Sequence, residues 1–113
     1  MKQNESKLQQ GCVTWFRLQY PDKIIYAIPN GGSRNVLEAV NLKKQGTLSG
    51  VADLHIPISN GKYHSLFLES KFGKNKQTES QVEFQQKVEK FGNCYKIFYS
   101  FDEFKKIIEN YLK

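Results

Sequence analysis

Leu8, Cys12 and the Trp15-Phe16 pair recur at the three-to-four spacing of a helix face, predicting a helix from Asn4 to Gln19 that Tyr20-Pro21-Asp22 stops. Ile24 to Ile28 is a nearly continuous apolar run rich in β-branched and aromatic side chains, the pattern of a buried strand, and Pro29-Asn30-Gly31-Gly32 breaks it. Ser33 is placed to cap a second helix through Val36, Leu37, Val40 and Leu42 to Lys44, ended by Gly46. Val51 to Ile58 and Tyr63 to Lys71 read as two strands joined around Asn60-Gly61, a hairpin signal. Thr78-x-x-Gln81 is a capping box that opens a helix running to Lys90, with Gly92 as its stop. Cys94 to Tyr99 is a further apolar strand. A second capping box, Ser100-x-x-Glu103, leads an amphipathic helix with Phe104, Ile107, Ile108, Tyr111 and Leu112. The order is α-β-α-β-β-α-β-α. There is no repeat or linker, so residues 1–113 read as one α/β domain.

The hairpin can be registered in two ways. A two-residue turn at Asn60-Gly61 sets Ile56 opposite Ser65 and mixes apolar with polar on one face. A three- or five-residue loop centred on Gly61 sets Leu54 opposite Leu68 and Ile56 opposite Leu66, giving one clean apolar face. The second register also puts Asp53 across from Glu69 on the other face, with Lys71 two residues on and pointing the same way.

Composition narrows the class. Apolar residues make up 39% of the chain and charged residues 25%, ordinary for a globular domain and unlike a disordered segment. Seventeen Lys and Arg against eleven Asp and Glu leave a net charge of +6, which favours a polyanionic partner such as nucleic acid. Cys12 and Cys94 lack metal-ligand spacing and read as core thiols of a reducing compartment, and the N-terminal MKQNESKLQQ has no apolar signal core. No stretch is apolar enough to span a membrane, so the expected location is the cytosol.

Two carboxylates one cross-strand spacing apart form a natural oxygen site for Mg²⁺ or Mn²⁺, because like charges that close are costly without a cation. Lys71 beside them is placed to lower the carboxylate pKa values, orient a water or stabilise charge growing on a phosphate. The competing reading of Glu69-x-Lys71 is a solvated strand face. His55 shares the Asp53 face but reads as structural, and Trp15-Phe16 reads as core or interface rather than a stacking platform.

The run Gly50-Val51-Ala52-Asp53, followed by Leu66-Phe67-Leu68-Glu69-Ser70-Lys71, resembles the signature of the PD-(D/E)xK nuclease superfamily. Over nearly its whole length the chain resembles the virus-type replication-repair nuclease domain, VRR-NUC. The matching features are Glu5 and Gln9 in a first helix, Asn30-Gly31-Gly32 before a basic helix, Gly50 ahead of Asp53, Gln81 with Phe84, and Gly92 before Tyr95, Ile97 and Tyr99. One position departs from the family pattern: Ala52 stands where the family usually has proline, a loss of backbone rigidity but of no catalytic group.

The resemblance implies a restriction-endonuclease-like fold, a small mixed sheet flanked by helices. It implies a metal bound by Asp53, Glu69 and the backbone carbonyl of Ser70, with Lys71 positioning the attacking water. Glu5 would add a carboxylate, directly or through water; its bland alternative is a first-turn acid. Gln81 would touch the water or scissile phosphate, in competition with its capping role. Arg34, Lys43, Lys44, Lys74 and Lys76 are the candidates for phosphate contacts, each equally readable as a solubilising charge. The implied activity is a Mg²⁺- or Mn²⁺-dependent endonuclease on branched DNA such as four-way (Holliday) junctions, acting as a homodimer in the cytosol of a phage or bacterial host. The rivals are a nuclease for flapped, nicked or ordinary duplex DNA, and a non-catalytic DNA-binding module with a nuclease fold.

Overall fold

The structure is a computed structural model that describes residues 2–29 and 35–113, with the backbone alone at residues 2 and 3. The expectations for Asn30-Gly31-Gly32, Ser33 and Arg34 lie outside the described residues. The element order is α1 (Lys2–Gln19), β1 (Tyr26–Ala27), α2 (Val36–Lys44), β2 (Leu54–Ile56), β3 (Leu66–Ser70), α3 (Glu79–Lys90), β4 (Cys94–Phe98) and α4 (Phe101–Tyr111). The sheet runs β1-β2-β3-β4. Its first two pairings are antiparallel and the third is parallel, because β3 reaches β4 through the α3 crossover.

The β2–β3 register pairs Leu54 with Leu68 and Ile56 with Leu66, the alignment that buries one apolar face. That face packs under α1 and α4, where Cys12, Phe16, Phe98, Phe104 and Ile108 join the four strand residues in the main core. The alternate strand positions point to the other face, where Phe67, Tyr95 and Ile97 meet Phe84 and Val88 of α3 and, ahead of β2, Val51 and Ala52. Both cysteines are free and buried. Of the terminal aromatics, Phe16, Phe104 and Tyr111 are buried and Trp15 lies edge-on against Phe104 and Phe101, so most of that aromatic content is core rather than a spare surface.

Several elements depart from the sequence pattern for identifiable reasons. The apolar run Ile24 to Ile28 yields only Tyr26–Ala27 as strand, since Arg17 Nη2 of α1 takes the Ile25 carbonyl at 3.1 Å. The β2–β3 connection is not a tight hairpin. It runs from Pro57, which has no N–H for the ladder, to Ser65, with Asn60 Oδ1 accepting from Lys62 N at 2.9 Å and Tyr63 N at 2.7 Å around Gly61. The loop keeps its expected centre although it is longer. Asn35 caps α2, its Oδ1 accepting from Leu37 N at 2.8 Å, and α2 buries no residue despite its apolar Val36, Leu37 and Val40. At α4, Ser100 Oγ accepts from Glu103 N, but the Glu103 carboxylate reaches past the cap to Tyr99 N at 2.7 Å.

Candidate active site

Asp53 lies just before β2, where its carbonyl accepts from Ile28 N at 2.9 Å. Its side chain sits on the face opposite the main core and closes onto β3. Oδ2 accepts from both the backbone N and the hydroxyl of Ser70, each at 2.9 Å. The Ser70 hydroxyl is a member of the site that the sequence pattern did not single out; only its carbonyl was considered.

Glu69 is 2% exposed and projects to the same side. Its Oε2 accepts from Gln81 Nε2 at 2.9 Å and pairs with Lys71 Nζ at 3.7 Å. Its Oε1 is buried with no hydrogen-bond partner. Burial first, and then the Asp53 carboxylate, push the Glu69 pKa up to about 8; Glu5 adds to the rise and Lys71 opposes it. Lys71 lowers the pKa of this carboxylate as its position predicts, but burial and the neighbouring acids outweigh it, so the net shift is upward.

Lys71 is 7% exposed and its Nζ donates to Gln81 Oε1 at 2.7 Å. The same oxygen accepts from Thr78 N at 2.9 Å, while Thr78 Oγ1 accepts from Gln81 N at 3.3 Å, completing the capping box of α3. Capping and site contact compete for one side chain in the sequence pattern. They coexist because a carbonyl oxygen has two lone pairs and the amide nitrogen remains free to hold Glu69. Gly50 (φ +83) makes this possible, since a Cβ there would overlap the Ser80 backbone and lie 2.8 Å from Gln81 N.

Glu5, in the first turn of α1, is half-buried and close enough to raise the Glu69 pKa. Its Oε2 lies 3.4 Å from Asn75 Nδ2 in the β3–α3 loop. Among the described residues no three His, Cys, Asp or Glu side chains form a group able to hold a metal ion, so Glu5 stands at the margin of the Asp53–Glu69 pair rather than inside a three-carboxylate cluster. Asn75 and Tyr99, whose hydroxyl donates to the Asn75 carbonyl at 2.9 Å, were not singled out from sequence as part of the site's margin. Their spacing carries no signal for it.

The donor set nonetheless suits a hard divalent cation. Asp53 and Glu69 supply oxygen ligands, and the unpartnered Glu69 Oε1 is a buried acceptor whose cost a cation would remove. His55 stays outside this set. Its Nδ1 lies 2.6 Å from the Tyr26 hydroxyl and its Nε2 2.9 Å from Ser65 Oγ, which itself donates to Asn93 Oδ1 at 2.6 Å. Both ring nitrogens are thus engaged in a structural chain across the sheet, and desolvation lowers the His55 pKa.

Lys43 and Lys44 are exposed in the last turn of α2, and Lys74 and Lys76 are exposed in the loop that follows Lys71. A cavity of about 360 Å³ between Lys62, Tyr63, Leu66, Cys94, Lys96 and Tyr111 lies at the far ends of β3 and β4 and includes none of the site residues.

No protein-family model matches the chain, and no curated protein matches it. Among solved structures it is similar to a VRR_NUC domain protein, at 26% sequence identity and a TM-score of 0.79, with 96% of this chain and 87% of that chain covered. This likeness extends over the mixed four-stranded sheet and its flanking helices, an architecture consistent with the PD-(D/E)xK fold, and makes the chain a VRR-NUC-like domain.

Proposed function

We propose that the chain is a Mg²⁺- or Mn²⁺-dependent endonuclease that hydrolyses DNA phosphodiester bonds. The observation that carries this reading is the buried, unpartnered Glu69 Oε1, beside a second carboxylate and 3.7 Å from a lysine on its other oxygen. Asp53, Glu69 and the Ser70 carbonyl would hold the cation, with Glu5 contributing from the edge of the site. When bound, the cation supplies Lewis acidity toward the phosphate and lowers the pKa of water. Lys71 orients the attacking water and faces the charge that develops as the P–O bond to the leaving strand breaks. Gln81 fixes Glu69 and Lys71 relative to each other. Lys43, Lys44, Lys74 and Lys76, with Arg34, contact the phosphate backbone.

The preferred substrate is branched DNA, with a two-fold homodimer cutting a four-way junction at paired positions. This finer reading comes from the family resemblance; flapped, nicked or duplex DNA is the enzymatic alternative, and a non-catalytic DNA binder is the alternative outside catalysis. A buried carboxylate oxygen without a partner, Glu69 Oε1, favours the enzyme, because two carboxylates facing a phosphate weaken simple binding.

A plasmid assay with and without Mg²⁺, comparing wild type with Glu69→Ala and Lys71→Ala, tests the activity. Metal-dependent nicking that both variants lose is the expected outcome. DNA binding that ignores metal, with no cleavage, would leave the binding module as the answer. A panel of labelled junctions, flaps and duplexes then tests the substrate, and equal cleavage of all of them removes the junction preference.

A further inference from the structure

The loop from Phe72 to Gln77 joins Lys71 to the helix that carries Gln81, and it bears the exposed cations Lys74 and Lys76. Such a loop tip ordinarily satisfies its polar groups with water. This one is tied to three elements. Asn75 N donates to Phe72 O at 3.1 Å, and the Asn75 carbonyl accepts from the Tyr99 hydroxyl, at the end of β4. Gln77 Nε2 donates to Gln85 Oε1 of α3 at 2.8 Å and lies 3.3 Å from the Tyr95 hydroxyl of β4. Asn75 Nδ2 faces Glu5 Oε2 of α1. The residue between the two lysines thus holds the one acid that α1 brings to the site's margin.

We propose that Asn75 is a positioning residue that keeps the Glu5 carboxylate turned toward Glu69 and so couples cation binding at the carboxylates to phosphate binding by Lys74 and Lys76. The inference rests on the metal-dependent nuclease reading above. Glu5 and the amide form one mechanical link. Drawing Glu5 toward a cation fixes Asn75, and fixing Asn75, already held through its carbonyl by Tyr99, sets the two flanking ammonium groups. Such coupling is reciprocal, so DNA on the loop must tighten the cation to the same degree that the cation tightens DNA. The positive charge that a cation adds at Asp53 and Glu69 by itself also helps DNA to bind, and that electrostatic part does not need Asn75.

The two parts separate in a mutant cycle measured without turnover. DNA affinity is followed by fluorescence anisotropy with Ca²⁺ as a non-cleaving cation and with chelator, for wild type, Asn75→Ala, Glu5→Gln and the double variant, alongside Ca²⁺ calorimetry on the free protein. Asn75→Ala is expected to keep its metal-free DNA affinity and melting temperature, and to lose about fivefold or more of the Ca²⁺ enhancement, at the low end of ordinary coupling between sites. The same substitution made on Glu5→Gln is expected to lose nothing further. Tyr99→Phe, which removes only the hydroxyl, should lose part of the enhancement. Equal weakening of DNA binding with and without Ca²⁺, or full additivity of the two substitutions, overturns the coupling while leaving the nuclease reading in place. The same calorimetry run with Mg²⁺ and Mn²⁺ covers the other cations, and absence of binding of all three by the wild type removes both readings.

Discussion

The unusual group at the residue scale is Glu69, a buried acid whose two neighbouring acids outweigh its one lysine. Its pKa in the folded chain is pushed to about 8 from an ordinary 4.5, so over that interval the folded protein retains a proton that the unfolded chain has released. The stabilising proton is fully present below the lower value and is lost as pH climbs through the higher one, so metal-free stability falls from about pH 5 to about pH 8. Each unit of separation is worth about 1.4 kcal/mol at most, so the effect is on the order of a few kcal/mol. Thermal melts in chelator should show this fall, Glu69→Gln should flatten it, and millimolar Mg²⁺ or Mn²⁺ should restore the melting temperature of the wild type at pH 8. Parallel curves for the two proteins would mean that the Glu69 charge is tolerated without a cation. Gly50 is the other residue on which the site turns. Gly50→Ala places a Cβ against the Ser80 and Gln81 backbone at a positive φ, which should cost about 1–3 kcal/mol. The shift also carries Gln81 away from Glu69, so nicking should drop about tenfold or more in protein that is still folded by circular dichroism. Full activity in that variant would show that the start of α3 yields without moving Gln81.

Elements do their positioning mainly through α3, whose first turn is both a capping box and one wall of the site. The two functions can be divided by mutation. Thr78→Ala removes the cap acceptor and should lower stability by about 1 kcal/mol. It leaves the Gln81 amide on Glu69 and Lys71, so metal-dependent cleavage should stay within about twofold, whereas Gln81→Leu should lose most activity. A matching loss of activity in both variants would make the cap, not the amide, the important feature. Much of this element was legible in the sequence, because Thr78-x-x-Gln81 is a local signal and the β2–β3 register followed from which alignment buries Leu54, Ile56, Leu66 and Leu68. The strand lengths were less so: β1 depends on a distant partner, an arginine on α1 that takes the Ile25 carbonyl, whereas β2 stops at Ile56 because the adjacent Pro57 has no N–H for the ladder. The fate of α2 was equally hidden, as an apolar stripe of Val36, Leu37 and Val40 does not say whether anything covers it. Asn75 and Tyr99 meet across the loop with no local pattern to announce them.

Across the whole molecule the sheet separates two layers of unequal strength. The main core is closed by α1 and α4, and α4 alone buries Phe104, Ile108 and Tyr111. The site layer is thinner, and α3 contributes a single buried side chain, Phe84, to a cluster with Val51, Ala52 and Tyr95. Since opening free energy follows the apolar surface that each unit buries, α3 should open as a sub-global unit before the sheet and α4 do. In such an opening Gln81 leaves Glu69 and Lys71, while Asp53 stays bonded to Ser70 on the strands, so the carboxylates persist without their positioning amide. Native-state hydrogen exchange at low denaturant should then show α3 amides exchanging at a lower free energy than those of β3 and α4. Saturating Mg²⁺ or Mn²⁺ should raise α3 protection more than α4 protection, because a cation that fixes Glu69 also favours the state in which Gln81 holds it. Equal exchange free energies in α3 and β3, unchanged by metal, would mean that the site layer opens only when the entire fold does, and that Gln81 is as permanent a part of the site as Asp53.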